Sequence, residues 1–480
     1  MKARIVTLLS IVAMLGGLAF LGFLGWMWWE SRLPGSYDVM DYGVVDLGGG
    51  PDGTTAAFSV ADEKGETGKP DLRVTLTAEK AKVRLASGTD VDAWTFDRIV
   101  PGPELRVRQG DLVEVTVANE DISDGVTIHW HGLDVPNAED GVAGVTQDAV
   151  LPGQTHTYRF RPEQVGTFWY HTHENASDGV KRGLYGALVI LPREPLPQKL
   201  DLTLPVHTFS GRTAIGLNDG VQRRAVEPGT QVRLRLLNTN SSALKIRLAG
   251  MQASVVAIDG GDIDAAQVPE GAELEIGAGG RYDVAFTMPP RTASAEVVDS
   301  RAALVLSPDG TGEPPATESG PVFDPGARKA AITAETGSFD RTFRLEIGQK
   351  PGFLDGRPGR HWSLNGKLYP RVPMFMVSQG DLIRVDLVNH SGSVHPMHLH
   401  GHHFLVLNRN EQAVRPWSTD TLNMLPHERY EVSFRASNPG VWMLHCHNLP
   451  HARDGLTMHV MYDGATTPFR AGDAAHNHPE

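Results

Sequence analysis

An all-β chain of three related two-sheet sandwiches, preceded by one apolar amino-terminal helix, is the fold class that this sequence predicts. Three observations carry it. A strand unit recurs three times, 52 glycines and 32 prolines punctuate short runs of alternating apolar and polar residues, and residues 5–29 form one long uncharged segment. Period-two alternation between turn formers marks half-buried strands, whereas a long apolar run marks a spanning helix.

From Ile5 to Trp29 no residue is charged; Lys2 and Arg4 precede the run, and Glu30 and Arg32 follow it. That is longer than the apolar core of a secretion signal, and no small-x-small cleavage site follows. Residues 1–30 are therefore expected to be a single-pass membrane anchor, its basic end in the cytoplasm and the rest of the chain extracytoplasmic. Secretion after cleavage of a signal is the alternative. Residues 31–69 are polar and glycine-rich and are expected to be a tether.

The repeat then sets three domains, at 70–195, 196–306 and 341–463. Val107, Gly110, Val113, Val115, Val117 and Asn119 recur as Val226, Gly229, Val232, Leu234, Leu236 and Asn238, and again as Val377, Gly380, Ile383, Val385, Leu387 and Asn389. Each copy is a turn glycine followed by a strict alternation. Phe160, Gly166 and His171 match Phe434, Gly440 and His445, whereas Tyr282, Val284 and Phe286 of the middle copy lead to no histidine. The outer two domains are thus expected to carry metal, with the middle one spacing them. Residues 307–340 begin as a Pro- and Gly-rich stretch and are expected to be a linker, and 464–480, with His476 and His478, a frayed tail.

Ten histidines and the lone cysteine fall in four clusters: His129-Trp130-His131-Gly132, His171-Thr172-His173, HPMHLH from His395 to His400 and HCHNLPH from His445 to His451. Residues two apart on a strand share a face, so each H-x-H pair offers two imidazoles to one side. One such pair alone is more often a core or surface feature than a ligand set; four clusters with a cysteine inserted in one are not. Cys446 stands between two histidines and is joined to both through its own backbone. Thiolate with imidazole, without a second cysteine or a carboxylate cage, suits copper better than zinc, calcium or magnesium.

From about Asp92 to Tyr462 this constellation resembles the multicopper oxidases of the three-domain, laccase-like kind. The resemblance implies cupredoxin-like Greek-key sandwiches and four copper ions. It assigns His395, Cys446 and His451 to a type 1 copper, His129 and His398 to a type 2 copper, and His131, His171, His173, His400, His445 and His447 to a type 3 pair. Electrons would enter through His451 and cross by Cys446. Asp140, nine residues after His131, matches an acid that family members use to deliver protons; a turn aspartate before Gly141 is the plain alternative. Where some members carry a second carboxylate, after the last type 1 histidine, this chain has Ala452, with Asp454 two residues on. The axial position is Leu456, which cannot coordinate, so a high type 1 potential is expected. Met458 is expected to pack in the core.

A net charge of −13 without a basic run argues against nucleic acid as a partner, and one cysteine cannot form an intramolecular disulfide. The activity expected from the resemblance is oxidation of phenolic or aromatic amine donors coupled to reduction of dioxygen to water. Oxidation of Cu(I), Fe(II) or Mn(II) is the alternative. A non-catalytic copper-binding or structural protein on the same fold would not need the complete ligand set.

Overall fold

The computed structural model describes every residue except 1, 52, 54, 64 and 328–337, with the backbone alone at residues 2–4 and 6. Three cupredoxin-like sandwiches follow an apolar helix, α1 (Lys2–Glu30), whose Thr7–Glu30 stretch is long and apolar enough to cross a membrane. That helix is compatible with a membrane anchor or a signal peptide.

In the first sandwich the strands Asp90–Phe96, Leu72–Arg84, Val113–Asn119 and Thr155–Phe160 form one sheet; Gly102–Arg108, Tyr185–Leu191, Gly166–His171 and His129–His131 form the other. The middle and third sandwiches pair sheets of six and five and of six and six strands. The threefold repeat in sequence is a threefold repeat in pairing. Val113–Asn119, Gln231–Asn238 and Leu382–Asn389 each lie parallel to the strand that opens their domain and antiparallel to a later one.

The asparagine closing each repeat has a structural reason. Asn119, Asn238 and Asn389 are buried, and each side-chain amide donates to loop carbonyls: Ile122 and Val150, then Ser242, Ile276 and Gly277, then Ser393 and Leu425. In the outer sandwiches these loops lead to the strands His129–His131 and His395–Leu399. The asparagine thus satisfies buried backbone groups and fixes where the ligand strand begins.

Three sequence expectations are corrected. The segment 31–69 is not a free tether. Tyr37 exchanges backbone hydrogen bonds with Ala471, Val44–Asp46 joins Pro373–Val377 as a parallel strand, and Phe58–Ser59 pairs with Ala465–Thr466. A few buried apolar residues, Tyr37, Val39 and Val60, suffice to hold the strap because existing sheet edges supply its hydrogen bonds. Nor is the tail frayed: Asn477 accepts from the Ala149 amide, Glu480 accepts from the Ser177 amide and His478 pairs with Glu174. In the linker, Val322 bridges to Glu273 and Asp324 binds Arg409, so its described part is packed rather than loose; residues 328–337 lie outside the described set.

Two outcomes follow. Asn389→Ala strands two carbonyls in the interior and should cost about 2–4 kcal/mol of stability, read by denaturant unfolding. The carboxylates of Glu174 and then Asp473 outweigh burial and raise His478 to about 9. A raised folded-state value means that the contribution to tail docking is complete below the ordinary imidazole value and is lost as pH rises through about 9. Hydrogen exchange of residues 473–480 should accordingly speed up on passing from neutral to alkaline pH beyond the intrinsic base-catalysed increase.

Candidate metal centre

The ligand strands of the outer sandwiches pair alike. His129 faces His171 across one ladder, His398 faces His445 across another, and Met397 stands directly opposite Cys446. Where the two sandwiches close on each other, ligand atoms of His129, His131 and His398, of His131, His171 and His447, and of His173, His400 and His445 lie within 4.8 Å of one another inside each group. A separate trio joins His395, Cys446 and His451, with the thiol sulfur 3.6 Å and 3.8 Å from the two Nδ1 atoms. All eleven sequence-derived ligand positions therefore converge.

Hydrogen bonds decide which imidazole nitrogen is free. His398 Nδ1 donates to the Asp420 carbonyl at 2.9 Å, His400 Nδ1 to Asp140 Oδ2 at 2.9 Å, and His129 Nδ1 faces Asp140 Oδ1 at 3.1 Å. Their Nε2 atoms then carry lone pairs. Those of His129 and His398 point at each other at 3.3 Å, and that of His400 faces His445 Nε2 at 3.1 Å. Facing lone pairs repel unless a cation sits between them, and metal–imidazole bonds of about 2 Å fit those separations. Further nitrogens of His131, His171, His173, His445 and His447 are buried with no hydrogen-bond partner. Unsatisfied buried imidazoles on this scale fit metal ions and little else.

Charge agrees. Burial, and after it the proximity of the other imidazoles, holds His131, His171, His173, His400, His445 and His447 well below the usual imidazole range. Burial likewise lowers His395 to about 3 and His451 to about 4, and pushes the Cys446 thiol up. At neutral pH the imidazoles are ready ligands, and an ion entering the cysteine trio has only the thiol proton to displace.

Several residues at the site were not foreseen. Arg281, from the middle sandwich, grips Asp420 with both terminal nitrogens at 2.8 Å and 2.6 Å while its Nε donates to the Thr167 carbonyl beside the His171 strand. Asp420 in turn faces His131 at 3.2 Å and His403 at 3.5 Å, and Thr421 Oγ1 bonds His131 Nε2 at 2.9 Å. Burial opposes the charge on Asp420, but Arg281 and the histidine hydrogen bonds hold its carboxyl well below the usual range. Two glycines admit this packing. A Cβ on Gly132 would meet Arg281 and Asp420 at 2.4 Å and 2.5 Å, and one on Gly279 would meet the His447 ring at 2.9 Å. Trp362 packs on His395 and His451 with ring centroids 4.6 Å and 4.5 Å away. No local sequence pattern marks Arg281, Asp420 or Trp362: Arg281 sits between Gly280 and Tyr282 with Asp283 two residues on, and Asp420 between Thr419 and Thr421.

Around the cysteine trio, Leu456 is buried and gives its amide to the His451 carbonyl and its carbonyl to the Cys446 amide. It stands beside the trio with an apolar side chain. Asp454 is half exposed, pairs with Arg453 and acts electrostatically on His451.

Buried neutral imidazoles in three contiguous groups, beside a cysteine–dihistidine trio, define a protein built for several soft-ligated metal ions. Three models of the multicopper oxidase family match the chain, over residues 77–195, 169–295 and 348–465. The multicopper oxidase MmcO of Mycobacterium tuberculosis is 28% identical, covering 86% of this chain and 91% of its own length. Laccase-1 of Melanocarpus albomyces is 27% identical over 79% of this chain and 74% of its own. Among solved structures, a multi-copper oxidase from Pseudomonas thermotolerans is 29% identical, covers 82% of this chain and 99% of its own, and superposes with a TM-score of 0.67. The chain belongs to the multicopper oxidase family and is laccase-like: a copper-dependent oxidoreductase with oxygen as acceptor.

Removing Arg281 takes from the buried Asp420 carboxylate its two-pronged partner and leaves His403 as the facing cation. Arg281→Met should destabilise the protein by about 3–5 kcal/mol in denaturant unfolding, with a parallel loss of bound copper on dialysis. An unchanged unfolding midpoint would show that Asp420 is neutralised from elsewhere.

Proposed function

We propose that this oxidase takes single electrons from phenolic or aromatic amine donors at a type 1 site of His395, Cys446 and His451. It passes them to a trinuclear site of His129, His131, His171, His173, His398, His400, His445 and His447, four copper ions in all. The observation that carries this reading is the strand end 445–447. Three consecutive residues serve three different groups: His445 lies with His173 and His400, Cys446 with His395 and His451, and His447 with His131 and His171. The backbone itself joins the electron acceptor to both halves of the oxygen-reducing site.

Bound copper supplies one-electron chemistry, taking electrons singly at the thiolate trio and delivering four to dioxygen among the imidazole groups. The residues set the conditions for it. His451 is half buried, so its edge is the point of electron entry, and Trp362 holds its ring. Asp140 accepts from His400 and lies against His129, which fixes both Nε2 atoms toward the site; at the same place it can hand protons to the reduced oxygen. Asp420 and Thr421 occupy the opposite flank, against His131 and His398, where Ala452 and Asp454 do not reach. α1 serves as an uncleaved anchor.

Oxygen uptake by the copper-loaded protein, measured with a phenol, Cu(I) and Fe(II) side by side, tests the donor class; the phenol should support the highest kcat/KM. Cys446→Ser should abolish the blue absorption and turnover of every donor while keeping the other three ions. A blue band that survives the substitution would remove the type 1 assignment.

A further inference from the structure

The hairpin of Arg341–Leu354 and Arg357–Leu364 touches the type 1 trio at one end and α1 at the other. Near its base Trp362 packs on His395 and His451. At its tip the Gly356 amide donates to Ser31 Oγ at 3.0 Å, the Leu33 amide donates to Asp355 Oδ1 at 3.1 Å, and Arg371 just beyond the hairpin pairs with Glu30, the last residue of α1. Arg357 and Trp362 are five residues apart on one strand, about 17 Å. A shorter connection runs through Leu354. A Cβ built on Gly455, four residues past His451, would lie 3.6 Å from Leu354 and 3.2 Å from Tyr369, and the Tyr369 hydroxyl meets that of Tyr37 in the strap at 3.1 Å. The His451 ring and the outer end of the helix are therefore joined by one hairpin, with about 17 Å of strand between them.

The same region presents exposed cations. From Gln349 to Arg371, Lys350, Arg357, Arg360, Lys367 and Arg371 are all exposed and Asp355 is the one acidic residue, a net charge of +4 in a chain of −13. On the adjoining edge strand Val44 and Val45 are exposed, and the Val44 amide bonds the Val372 carbonyl next to Arg371. Cations and apolar residues beside the end of a spanning helix match a lipid surface that carries anionic headgroups, whose attraction for Lys and Arg acts within a Debye length.

We propose that the hairpin rests on the bilayer surface and that the donor is a hydroquinone carrying an apolar tail, reaching His451 from the membrane. This rests on the phenol-oxidising reading and on α1 as an anchor. The balance needs nothing further: two hydroquinones each give two electrons and two protons and become quinones, while one dioxygen takes all four of each and becomes two waters.

The test uses the full-length, copper-loaded protein in nanodiscs of mixed phosphatidylglycerol and phosphatidylcholine and in detergent. Two donors share one ring: decyl-hydroquinone and its tailless parent. In nanodiscs the ratio of kcat/KM for tailed over tailless donor should rise about tenfold above that in detergent, because enzyme and donor share one surface. Arg357→Glu/Arg360→Glu should reverse that rise, and exchange of the 350–361 amides should slow in anionic nanodiscs but not in the variant. An unchanged ratio with no protection overturns the inference. Protection without a change in ratio overturns the donor class and favours a membrane protein as the partner. If neither hydroquinone is oxidised in any arm while Fe(II) is, the phenol reading itself fails; if alkali extracts the protein from vesicles, the anchor fails.

Discussion

Eight imidazoles, four from each outer sandwich, share one buried volume, and the molecule is organised around making that tolerable. Burial holds seven of them, His131, His171, His173, His398, His400, His445 and His447, below the usual imidazole range, and ring nitrogens face one another at hydrogen-bond distance. The assembly holds because the first and third sandwiches are locked at a set approach, by direct bonds such as Asn137 with Val441 and His400 with Asp140 and by a residue of the middle domain. Arg281 spans from the Thr167 carbonyl in the first sandwich to the Asp420 carboxylate in the third. Metal binding and domain closure are one equilibrium in such a site, since the ions relieve the repulsion that closure creates.

Much of the site was legible because its information is local. H-x-H pairs on strands, a cysteine between two histidines and a repeated strand unit are patterns within a few residues, and geometry turns them into shared faces. The repeat was legible for the same reason, down to an asparagine whose purpose emerged only when its amide was seen tying the next loop. Asp140 was found through its interval from His131, but its contacts with His129 and His400 were not, because they depend on how two domains meet. Arg281, Asp420 and Trp362 escaped for that reason. Each acts across a separation of tens to hundreds of residues, and no periodicity records such a partner.

The two terminal segments show the converse error. Composition marked 31–69 and 464–480 as loose, since glycine and polar residues dominate both. Yet a strand needs few apolar residues of its own when a sheet edge already offers its hydrogen bonds, as Pro373–Val377 does for Val44–Asp46. Tyr37 and Ala471 bind each other, so the strap and the tail are clasped together between Gly144 of the first sandwich and Tyr369 of the third. Average hydrophobicity reports the ability to build a core; it does not report the ability to line one.

The strand end 445–447 sets a limit of another kind. Because His445, Cys446 and His447 are consecutive, the bonded route from sulfur to either receiving imidazole has a fixed number of covalent links that side-chain substitution cannot lengthen or shorten. On the electron route proposed above, natural variation or engineering can change how strongly electrons are pulled, through neighbours such as Leu456 and Met397, and which molecules reach the outer end, through the hairpin that carries Trp362. The wire is a constant of the polypeptide; voltage and socket are the adjustable parts.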